Sequence, residues 1–490
     1  MSFHEPKLLI DGQLVDATGA ATYDNTNPAT GKVIGQAPDA SLADIDRAIA
    51  AARRAFDETD WSTNTELRVR CLRQLHDAYL ANSEEIRAMT VAEVGCPVGL
   101  TYAAQLDIPV SSIAYNADLL EGYEFDTDLG EAVPLGIKTH RTIAREAVGV
   151  VAAITPWNFP HQINLAKVIP ALAAGCTVVL KAAPATPWAA NNLARLVAEH
   201  TDMPAGVFNV ITSQENAIGE VLCTDPRVDM VSFTGSTATG RKVMAAASAT
   251  LKKVFLELGG KSAFIALDDA DPMAVAMGAG FQIMAHAGQG CAITTRLLVP
   301  RARQDEFVDA LVSMMQGIGW GDPTDPGNFM GPIVSEVQRT KVLDYINTAV
   351  DDGAELVLGS GKPAVLEGEL AGGYFVEPTV LVNVDQNSRI AQEEVFGPVL
   401  AVIAHDGDDD AVAIANNSLY GLSGAVTSND IERARSVARR IRTGTISVNG
   451  GLYYSPDAPF GGYKQSGIGR EMGVAGFEEY LELKTIAEGI

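Results

Sequence analysis

The chain has 490 residues, of which 47% are hydrophobic and 20% are charged, and its formal net charge is −25 at pH 7. This length exceeds what one hydrophobic core sustains, so two large lobes are expected. The acidity argues against nucleic acid or an anionic membrane as a partner, because both carry negative charge. No apolar run is long enough to span a bilayer, and the start of the chain, MSFHEPKLLIDG, lacks the features of a secretory signal. A cytoplasmic location is therefore expected.

The cysteines are few and scattered. They form no CxxC pair and have no histidine cluster nearby, so free thiols are expected rather than a disulfide framework or a metal site. The five are Cys71, Cys96, Cys176, Cys223 and Cys291.

The first hundred residues have a mostly helical pattern. SLADIDRAIAAARRAF opens on a serine cap and repeats apolar positions at helical spacing. A further helix is predicted to span residues 65–95.

From Val148 onward, short apolar strands alternate with helices. Helices are predicted at Pro187–His200 and Thr239–Ala249. Continuous apolar strands joined by helices are typical of a parallel, doubly wound sheet, which binds ligands at the C-terminal ends of its strands. The strand-like runs are VGVVAAITPWNFP, CTVVLKAAP, GVFNVIT, VDMVSFTG and KVFLELGG.

A second alternating series indicates a second α/β lobe, which meets the first near Gly259 and Gly260. Residues 137–149 and the tail FEEYLELKTIAEGI also alternate like strands. These two could pair subunits or be ordinary edge strands. The second series comprises SAFIAL, RLLVP, YFVEPTVLVNV, PVLAVIAH and GTISVNGG.

Two motifs follow strands of the first lobe. FTGSTATG (233–240) opens a helix, where backbone N–H groups attract phosphate, yet it matches neither a P-loop nor GxGxxG and could be a tight turn. TPWNFP (155–160) presents Asn158, a neutral donor suited to a developing oxyanion or, alternatively, to its own turn.

Two further residues have the chemistry of a base and a nucleophile. Glu257 in LELGGK ends a strand, where burial would favour a general base, although a surface carboxylate is the alternative. Cys291 lies in the glycine-rich turn HAGQGCAITT, where a small buried hydrophobe is the alternative. Strand-end signals of this kind would converge on one crevice.

Taken together, the motifs resemble the NAD(P)-dependent aldehyde dehydrogenase family of the hydrolytic, non-acylating type, over nearly the whole chain. They occur in the family's order, and the interval from Glu257 to Cys291 is also similar. The motifs are TPWNFP, FTGST, LELGGK, GQGC, QEEVFGPV, NNSLYGL and PFGGYKQSGIGRE.

The resemblance implies an α/β fold with two doubly wound lobes, a Rossmann-like cofactor domain and a catalytic domain, plus a small β extension for oligomerisation. A homodimer or homotetramer is expected, and the sequence does not decide between them. The expected division is residues 1–125 and 148–258 for the cofactor domain, 259–470 for the catalytic domain, and 126–147 and 471–490 for the oligomerisation strands.

The implied reaction oxidises an aldehyde to a carboxylic acid. Cys291 would add to the aldehyde as a thiohemiacetal, whose oxyanion is held by the Asn158 amide and the Cys291 backbone N–H. Hydride transfer to NAD or NADP leaves a thioester, which water activated by Glu257 hydrolyses.

The resemblance also implies the cofactor contacts. Pro184 stands where the family commonly has a glutamate for the ribose hydroxyls, so NADP is expected to be tolerated and the preference stays open. The implied cofactor residues are Ile154, Thr155, Pro156, Trp157, Lys167, Lys181, Phe233, Gly235, Ser236, Leu258, Gly259, Glu394 and Phe396.

The implied aldehyde pocket is apolar. Ala166 and Gly290 are small, which suggests a roomy tunnel for medium-chain, terpenoid or aromatic aldehydes rather than acetaldehyde or charged semialdehydes. The physiological aldehyde stays open. The implied residues are Phe159, Gln162, Ile163, Ala166, Gly290, Ala292, Tyr454 and Phe460.

A cysteine-dependent hydrolase or esterase without hydride transfer is the alternative. It needs a histidine to activate the thiol, and His286 lies nearby on a predicted helix. Such an enzyme has no need for the TPWNFP and EEVFGPV segments. A non-enzymatic role would not require Cys291, Glu257 and Asn158 together.

Overall fold

The computed structural model describes residues 6–490. Residues 1–5 lie outside the described residues. They include the start of the predicted cofactor domain and of the N-terminal segment in which no secretory signal was found. Two large sheets, each mainly parallel and flanked by helices, confirm the predicted α/β fold with two doubly wound lobes. Within residues 6–490, no helix is both long and apolar enough to cross a membrane.

The first sheet has eight strands, of which the central five are parallel. The five apolar runs predicted as its strands are all found there. In spatial order the strands are Gly467–Ile468, Lys253–Glu257, Met230–Thr234, Val150–Ile154, Thr177–Lys181, Phe208–Ile211, Leu8–Ile10 and Gln13–Val15.

The second sheet has seven strands, parallel except at the edge strand Glu355–Leu358. The five predicted runs again supply strands, although GTISVNGG contributes only two residues. In spatial order the strands are Glu355–Leu358, Thr379–Val382, Val399–His405, Thr294–Pro300, Ser262–Ala266, Gly424–Thr427 and Ser447–Val448.

Two smaller antiparallel sheets complete the β structure. The predicted tail strand, Leu481–Gly489, pairs along its length with Thr139–Ala147, and Asp126–Ala132 adds a third strand. The other small sheet is a hairpin of Thr22–Asn27 and Lys32–Pro38. The prediction of a mostly helical first hundred residues is therefore wrong before residue 40, where four strands lie.

Helices cover both faces of the large sheets. The serine cap is confirmed, since Ser41 Oγ accepts the backbone N–H of Asp44 at the start of Leu42–Glu58. The helices are Leu42–Glu58, Thr65–Ala81, Ser83–Val94, Val98–Thr101, Asp107–Gly122, Pro160–Ala174, Pro187–His200, Asn216–Thr224, Thr237–Ala247, Pro272–Met284, Gln304–Gln316, Glu336–Asp351, Arg389–Gln392, Asp408–Asn416, Ile431–Ala438 and Gly473–Glu478.

Two predicted helix boundaries need correction. The single helix predicted over residues 65–95 is two helices, because Asn82 leaves helical geometry (φ −111°, ψ 10°) and its side-chain amide caps the Ala78 carbonyl. The helix predicted at Thr239–Ala249 begins two residues earlier, at Thr237, and ends at Ala247.

The apolar strands are buried on both faces. In the strand Val150–Ile154, Val151 and Ala153 join the cluster on one face of the first sheet, whereas Val150 and Ala152 join the cluster on the other. A parallel sheet covered on both sides needs apolar residues at successive positions, which explains the continuous runs in the sequence.

The chain crosses from one large sheet to the other through residues 258–261. The strand Lys253–Glu257 ends the first lobe, and Ser262–Ala266 begins the second almost at once. The C-terminal ends of the first sheet's parallel strands therefore face the N-terminal ends of the second sheet's strands, and the cleft between the sheets opens at this junction.

Candidate active site

The cleft between the two sheets has a volume of about 670 Å³, part of which is open to solvent. The predicted nucleophile, base and oxyanion donor, together with eight of the predicted cofactor residues, line it. Its residues are Pro156, Trp157, Asn158, Ile163, Thr234, Gly235, Ser236, Glu257, Leu258, Gly259, Cys291, Gln338, Lys341, Glu394 and Phe396.

Asn158 is held at the end of the strand Val150–Ile154. Its carbonyl accepts a hydrogen bond from Gln105 Nε2 at 2.9 Å, and the helix Pro160–Ala174 begins two residues later. The side chain is buried, and Nδ2 donates to the Gln289 carbonyl at 2.9 Å. A side-chain amide carries two N–H groups, so one remains for a ligand in the cleft.

The turn before Cys291 is tightly constrained. His286, Ala287 and Gly288 all adopt left-handed backbone geometry, with φ of 48°, 52° and 69°. A Cβ atom at Gly288 would lie 2.1 Å from the Gly397 carbonyl oxygen, so only glycine fits there. The prediction that His286 lies on a helix is wrong, because the helix ends at Met284 and the chain then turns left-handed.

Gln289 anchors this turn from inside the protein. Its Nε2 donates to the His286 and Pro332 carbonyls at 3.0 and 3.2 Å, and its Oε1 accepts the backbone N–H of Val334 at 2.9 Å. Since the Gln289 carbonyl also receives the Asn158 amide, one residue fixes the position of Asn158 relative to Cys291.

Cys291 differs from the other cysteines in its exposure. All five residues have free thiols, and four are buried, but Cys291 is only partly buried, at the lining of the cleft. Burial raises the pKa of the Cys291 thiol well above its usual range, and the charges of Glu257, Glu394 and Glu471 raise it further. The thiol therefore rests protonated and needs a base before it can attack.

Glu257 has the environment of a base. Its side chain is buried and belongs to the lining of the cleft. Burial raises its pKa well above the usual range, and the Glu471 charge adds to the rise, while Lys167 opposes it. A carboxylate with a raised pKa is a stronger base than a solvent-exposed carboxylate.

Glu394 crosses from the second sheet to the junction. Its Oε1 accepts the backbone N–H of Gly260 at 2.9 Å, and a Cβ atom at Gly259 would lie 2.4 Å from its Oε2. A Cβ atom at Gly260 would lie 2.6 Å from the Cys291 carbonyl oxygen. Both glycines are required because other chain segments approach the backbone closely here.

Phe396 lies beyond Glu394 in a strained conformation. Its φ of 60° is unusual for a residue with a bulky side chain, and its ring meets Trp157 edge to face with centroids 5.4 Å apart. Gln338 stabilises this segment, since its Nε2 donates to the carbonyls of Val395 and Phe396 at 3.1 and 2.9 Å.

The helix Thr237–Ala247 points its N-terminus at the cleft. Ser236 caps it, with Oγ accepting the backbone N–H of Thr239 at 3.2 Å. The N–H of Gly235 is already bonded to the Glu257 carbonyl at 3.0 Å, and a Cβ atom there would lie 2.5 Å from the Phe233 ring. Packing against Phe233 is therefore the reason for glycine at this position.

Five predicted cofactor residues are not part of the cleft lining. Lys167 is fully buried and its amine contacts Glu471 Oε1 at 2.6 Å, so the structure places its charge in an ion pair. The backbone N–H of Thr155 donates to the Lys181 carbonyl. The roles of the five stay predictions; they are Ile154, Thr155, Lys167, Lys181 and Phe233.

On the predicted aldehyde side, aromatic rings pack in pairs. Phe159 meets His286 with centroids 5.2 Å apart, and Tyr454 meets Phe460 at 5.9 Å. Ile163 lines the cleft, whereas Gln162 and Ala166 are buried on the same helix.

The small residue Gly290 lies beside Ile293. A Cβ atom there would lie 2.9 Å from the end of the Ile293 side chain. The neighbouring Ala292 contributes its carbonyl to a hydrogen bond from Ser423 Oγ at 2.5 Å. The roomy tunnel stays a prediction.

Three residues with clear roles in the geometry escaped the sequence argument, namely Gln289, Gln338 and Lys341. Gln338 and Lys341 lie one helical turn apart on Glu336–Asp351, whose polar sequence suggests an ordinary solvated helix. Within residues 6–490, His, Cys, Asp and Glu side chains form no cluster of three that could hold a metal ion.

The chain is similar to known proteins over almost its full length. Residues 14–486 match the sequence profile of the aldehyde dehydrogenase family. A 3-succinoylsemialdehyde-pyridine dehydrogenase from a Pseudomonas species is 42% identical over 480 residues, which cover 97% of each chain. A putative aldehyde dehydrogenase from Staphylococcus aureus is 39% identical over 482 residues, 98% of each chain.

Solved structures show the same similarity. A betaine aldehyde dehydrogenase from Staphylococcus aureus, solved with NAD+, has a TM-score of 0.94 and 37% identity, covering 98% of this chain and 94% of its own. An NAD-dependent aldehyde dehydrogenase from Sinorhizobium meliloti has a TM-score of 0.93 and 38% identity, covering 99% and 94%. One cysteine of the Staphylococcus enzyme is free of β-mercaptoethanol in its NAD+ complex. The same cysteine is modified by β-mercaptoethanol in the structure of a point mutant.

Proposed function

The chain belongs to the aldehyde dehydrogenase family, and from that premise we propose that it oxidises an aldehyde to its carboxylic acid with NAD+ as hydride acceptor. The observation that carries the proposal is the meeting of Cys291, Glu257 and Asn158 in one cleft from three distant segments. Each has the chemistry that one step of this oxidation requires.

The cleft fits a dinucleotide. Glu394 offers a carboxylate to ribose hydroxyls, the N-terminus of Thr237–Ala247 offers backbone N–H groups to phosphate, and Trp157 with Phe396 offers aromatic faces. Lys341 places a positive charge in the lining of the cleft, although the net charge of the chain is negative. Bound NAD+ would supply the hydride acceptor that turns the thiohemiacetal into a thioester.

Cys291 is the proposed nucleophile. Glu257, with its raised pKa, takes the thiol proton, and the thiolate adds to the aldehyde carbon to give a thiohemiacetal. The free N–H of the Asn158 amide and the Cys291 backbone N–H donate to the resulting oxyanion. Because Gln289 fixes the Asn158 side chain beforehand, this donor does not have to reorganise during the reaction.

Glu257 is also the proposed base for release of the product. Glu257 first releases the thiol proton to solvent. After the hydride has left, its carboxylate removes a proton from water, which attacks the thioester carbonyl and expels the Cys291 thiolate. The proton that Glu257 takes from water can then return to the thiolate.

We propose uncharged aromatic, medium-chain or terpenoid aldehydes as substrates. Phe159, Tyr454 and Phe460 take part in aromatic contacts and would give the predicted pocket aromatic walls, and no Lys or Arg stands among its predicted residues. The Pseudomonas relative is named for a pyridine-containing aldehyde, which agrees with an aromatic substrate.

The test is a kinetic panel with both NAD+ and NADP+. We expect reduced-nicotinamide absorbance with every good substrate, and the highest kcat/KM with aryl or medium-chain aldehydes. A preference for succinic semialdehyde or betaine aldehyde would contradict the substrate proposal. If the protein hydrolyses esters but forms no reduced nicotinamide from any aldehyde, the proposed oxidation itself is contradicted.

The hydrolase alternative gains no support from His286. Its ring is buried, and burial lowers its pKa to about 4. A base that activates the thiol would have to contact it.

We further propose the domain division and assembly that the sequence predicts. The three-stranded sheet and the connection between its first two strands carry exposed apolar side chains, which a second subunit would cover. Leu483 lies in the sheet, whereas Leu135 and Ile137 lie in the connection. Solution scattering should give a homodimer or homotetramer, and deleting residues 481–490 should yield a smaller species. A cytoplasmic location stays a prediction of the sequence.

A further inference from the structure

A second, smaller cavity lies in the catalytic lobe, behind the junction that carries Glu394. It is partly open to solvent and has room for about one water-sized group. Most of its walls are buried, with Tyr420 and Thr443 partly exposed at the rim. The lining residues are Lys261, Ser262, Ala263, Arg296, Ala415, Tyr420, Gly421, Leu422, Ser423, Ile441 and Thr443.

Two polar atoms of this lining are buried without a partner. Lys261 is almost completely inaccessible, and its Nζ makes no hydrogen bond among the described residues. The same holds for Thr443 Oγ1. Leaving buried donors unpaired is costly, so the two atoms together indicate that an acceptor belongs in the space between them.

The charge of the site is strongly positive. Arg296 is buried, and its three guanidinium nitrogens donate only to the carbonyls of Lys261, Ile414 and Ala415. Lys464 Nζ likewise donates to backbone carbonyls, and the charges of Arg442 and Arg296 both act on it.

The acidic groups nearest to Lys261 are engaged elsewhere. Glu394 accepts the Gly260 N–H, while Glu393 accepts hydrogen bonds from Tyr345 and Arg389. Both carboxylates act on Lys261 only from a distance. Carbonyl dipoles satisfy the donors of Arg296 but leave its charge, and that of a protonated Lys261, without a counter-ion.

We propose that this cavity binds one small monovalent anion of the size of chloride, held by Lys261 Nζ, Thr443 Oγ1 and the field of Arg296. A neutral water would satisfy the donors but would leave the cationic charge unbalanced. Phosphate or sulfate is too large for a space with room for about one water-sized group. The inference does not depend on the catalytic roles proposed above, since none of those residues lines this cavity.

Anion binding should be coupled to protonation of Lys261. Burial and the neighbouring Arg296 lower the pKa of Lys261 to about 7, while Glu394 and Glu393 oppose the change. The anion favours the charged amine, so binding takes up a proton near neutral pH and weakens as the pH rises above this value.

Bromide is the probe, because it scatters anomalously and resembles chloride. Crystals of the full-length protein grown in sodium bromide should show an anomalous peak in the cavity within hydrogen-bond distance of Lys261 Nζ. In solution, bromide should raise Tm saturably by about 1–2 °C relative to gluconate at equal ionic strength. The shift should be larger at mildly acidic than at alkaline pH.

Lys261→Met removes the charge but keeps an apolar stem, and should abolish both the peak and the bromide-specific shift. Thr443→Val should reduce the shift without removing the cation, and it serves if Lys261→Met does not fold. Lys362→Met, at an exposed lysine, is the matched control and should respond like the wild type. The proposal is overturned if the cavity contains water and no bromide in crystals grown in sodium bromide. It is also overturned if folded Lys261→Met keeps the full bromide-specific rise in Tm.

Discussion

The two large sheets contribute to the cleft in opposite ways. The first sheet presents residues that follow its strands, namely Asn158, Ser236 and Leu258, so its C-terminal ends form the wall that parallel sheets ordinarily offer to ligands. The second sheet presents residues that precede its strands, namely Cys291 and Glu394. The usual rule for open α/β sheets therefore describes only half of this site.

The difference shows in how each wall is held. In the first sheet, backbone pairing between neighbouring strands fixes the positions of residues at strand ends. Glu257, for example, is paired with Thr234. On the second wall, loops set the positions, with strained backbone at His286, Ala287 and Phe396 and side-chain anchors from Gln289 and Gln338. We expect the second wall to be more sensitive to changes outside the reacting groups.

The largest effect is expected at the nucleophile on the second wall. Cys291→Ala should lower kcat/KM for aldehyde oxidation by about 10⁴-fold or more, because no other thiol reaches the cleft. Stopped-flow measurement of reduced nicotinamide would check this. Cys223→Ala, at a buried thiol, is the control and should keep its activity, and a comparable loss there would point to misfolding rather than chemistry.

Glu257→Gln tests the first wall. Steady-state kcat should fall by about 10²–10⁴-fold, because water is no longer activated to release the acid. Because Glu257 also takes the thiol proton in the proposed reaction, the burst of reduced nicotinamide should be slower as well. Glu432→Gln, on an exposed helix, should behave like the wild type. An undiminished burst would restrict the role of Glu257 to acyl release.

The same carboxylate should govern the acidic limb of the pH profile. Burial raises its pKa above the ordinary value of 4.5, so the base becomes protonated and kcat falls as the pH drops through that raised value. The limb should disappear in Glu257→Gln. A limb that persists unchanged in the variant would assign it to another group.

Asn158→Ala removes the side-chain oxyanion donor, and kcat should fall by about 10²–10³-fold with little change in KM. Asn158→Asp should be worse, since a carboxylate repels the developing negative charge. Measuring both variants with one good aldehyde tests the role directly. Equal activity of the Asp and Ala variants would argue against a developing anion at this position.

A smaller loss is expected at the loop anchor Gln338. Gln338→Ala breaks two hydrogen bonds to the strained Val395–Phe396 segment, and kcat/KM for NAD+ should fall by about tenfold. Gln304→Ala, which removes only an exposed contact to Asn383, provides the comparison. If kcat/KM for NAD+ is the same in both variants, the second wall depends less on its side-chain anchors than we infer.

The smallest effect concerns cofactor choice. Pro184 is exposed where the family commonly has a glutamate, so we expect kcat/KM with NADP+ to lie within about a thousandfold of that with NAD+. Pro184→Glu should shift selectivity towards NAD+ by several-fold, because a carboxylate repels a 2′-phosphate. Pro363→Glu, at another exposed proline, should leave the ratio unchanged.

Much of the fold could be predicted because local pattern reports burial. Parallel strands covered on both faces need unbroken apolar runs, and these runs located the central strands of both sheets. The early strands were missed because runs such as TYDNTN are short and polar, so they lack the apolar pattern of a buried strand. The break at Asn82 was missed because helical periodicity continues across it.

The sequence by itself determined the α/β architecture and the chemical types of the reacting groups, since strand ends, glycines and a lone cysteine in a small turn are local signals. Only the tertiary structure decided which side chains share the cleft, which left-handed turn presents Cys291, and how Gln289, Gln338 and the buried Lys261 are placed. These depend on contacts between residues far apart in the chain, such as Asn158 with Gln289, and no local pattern encodes such contacts.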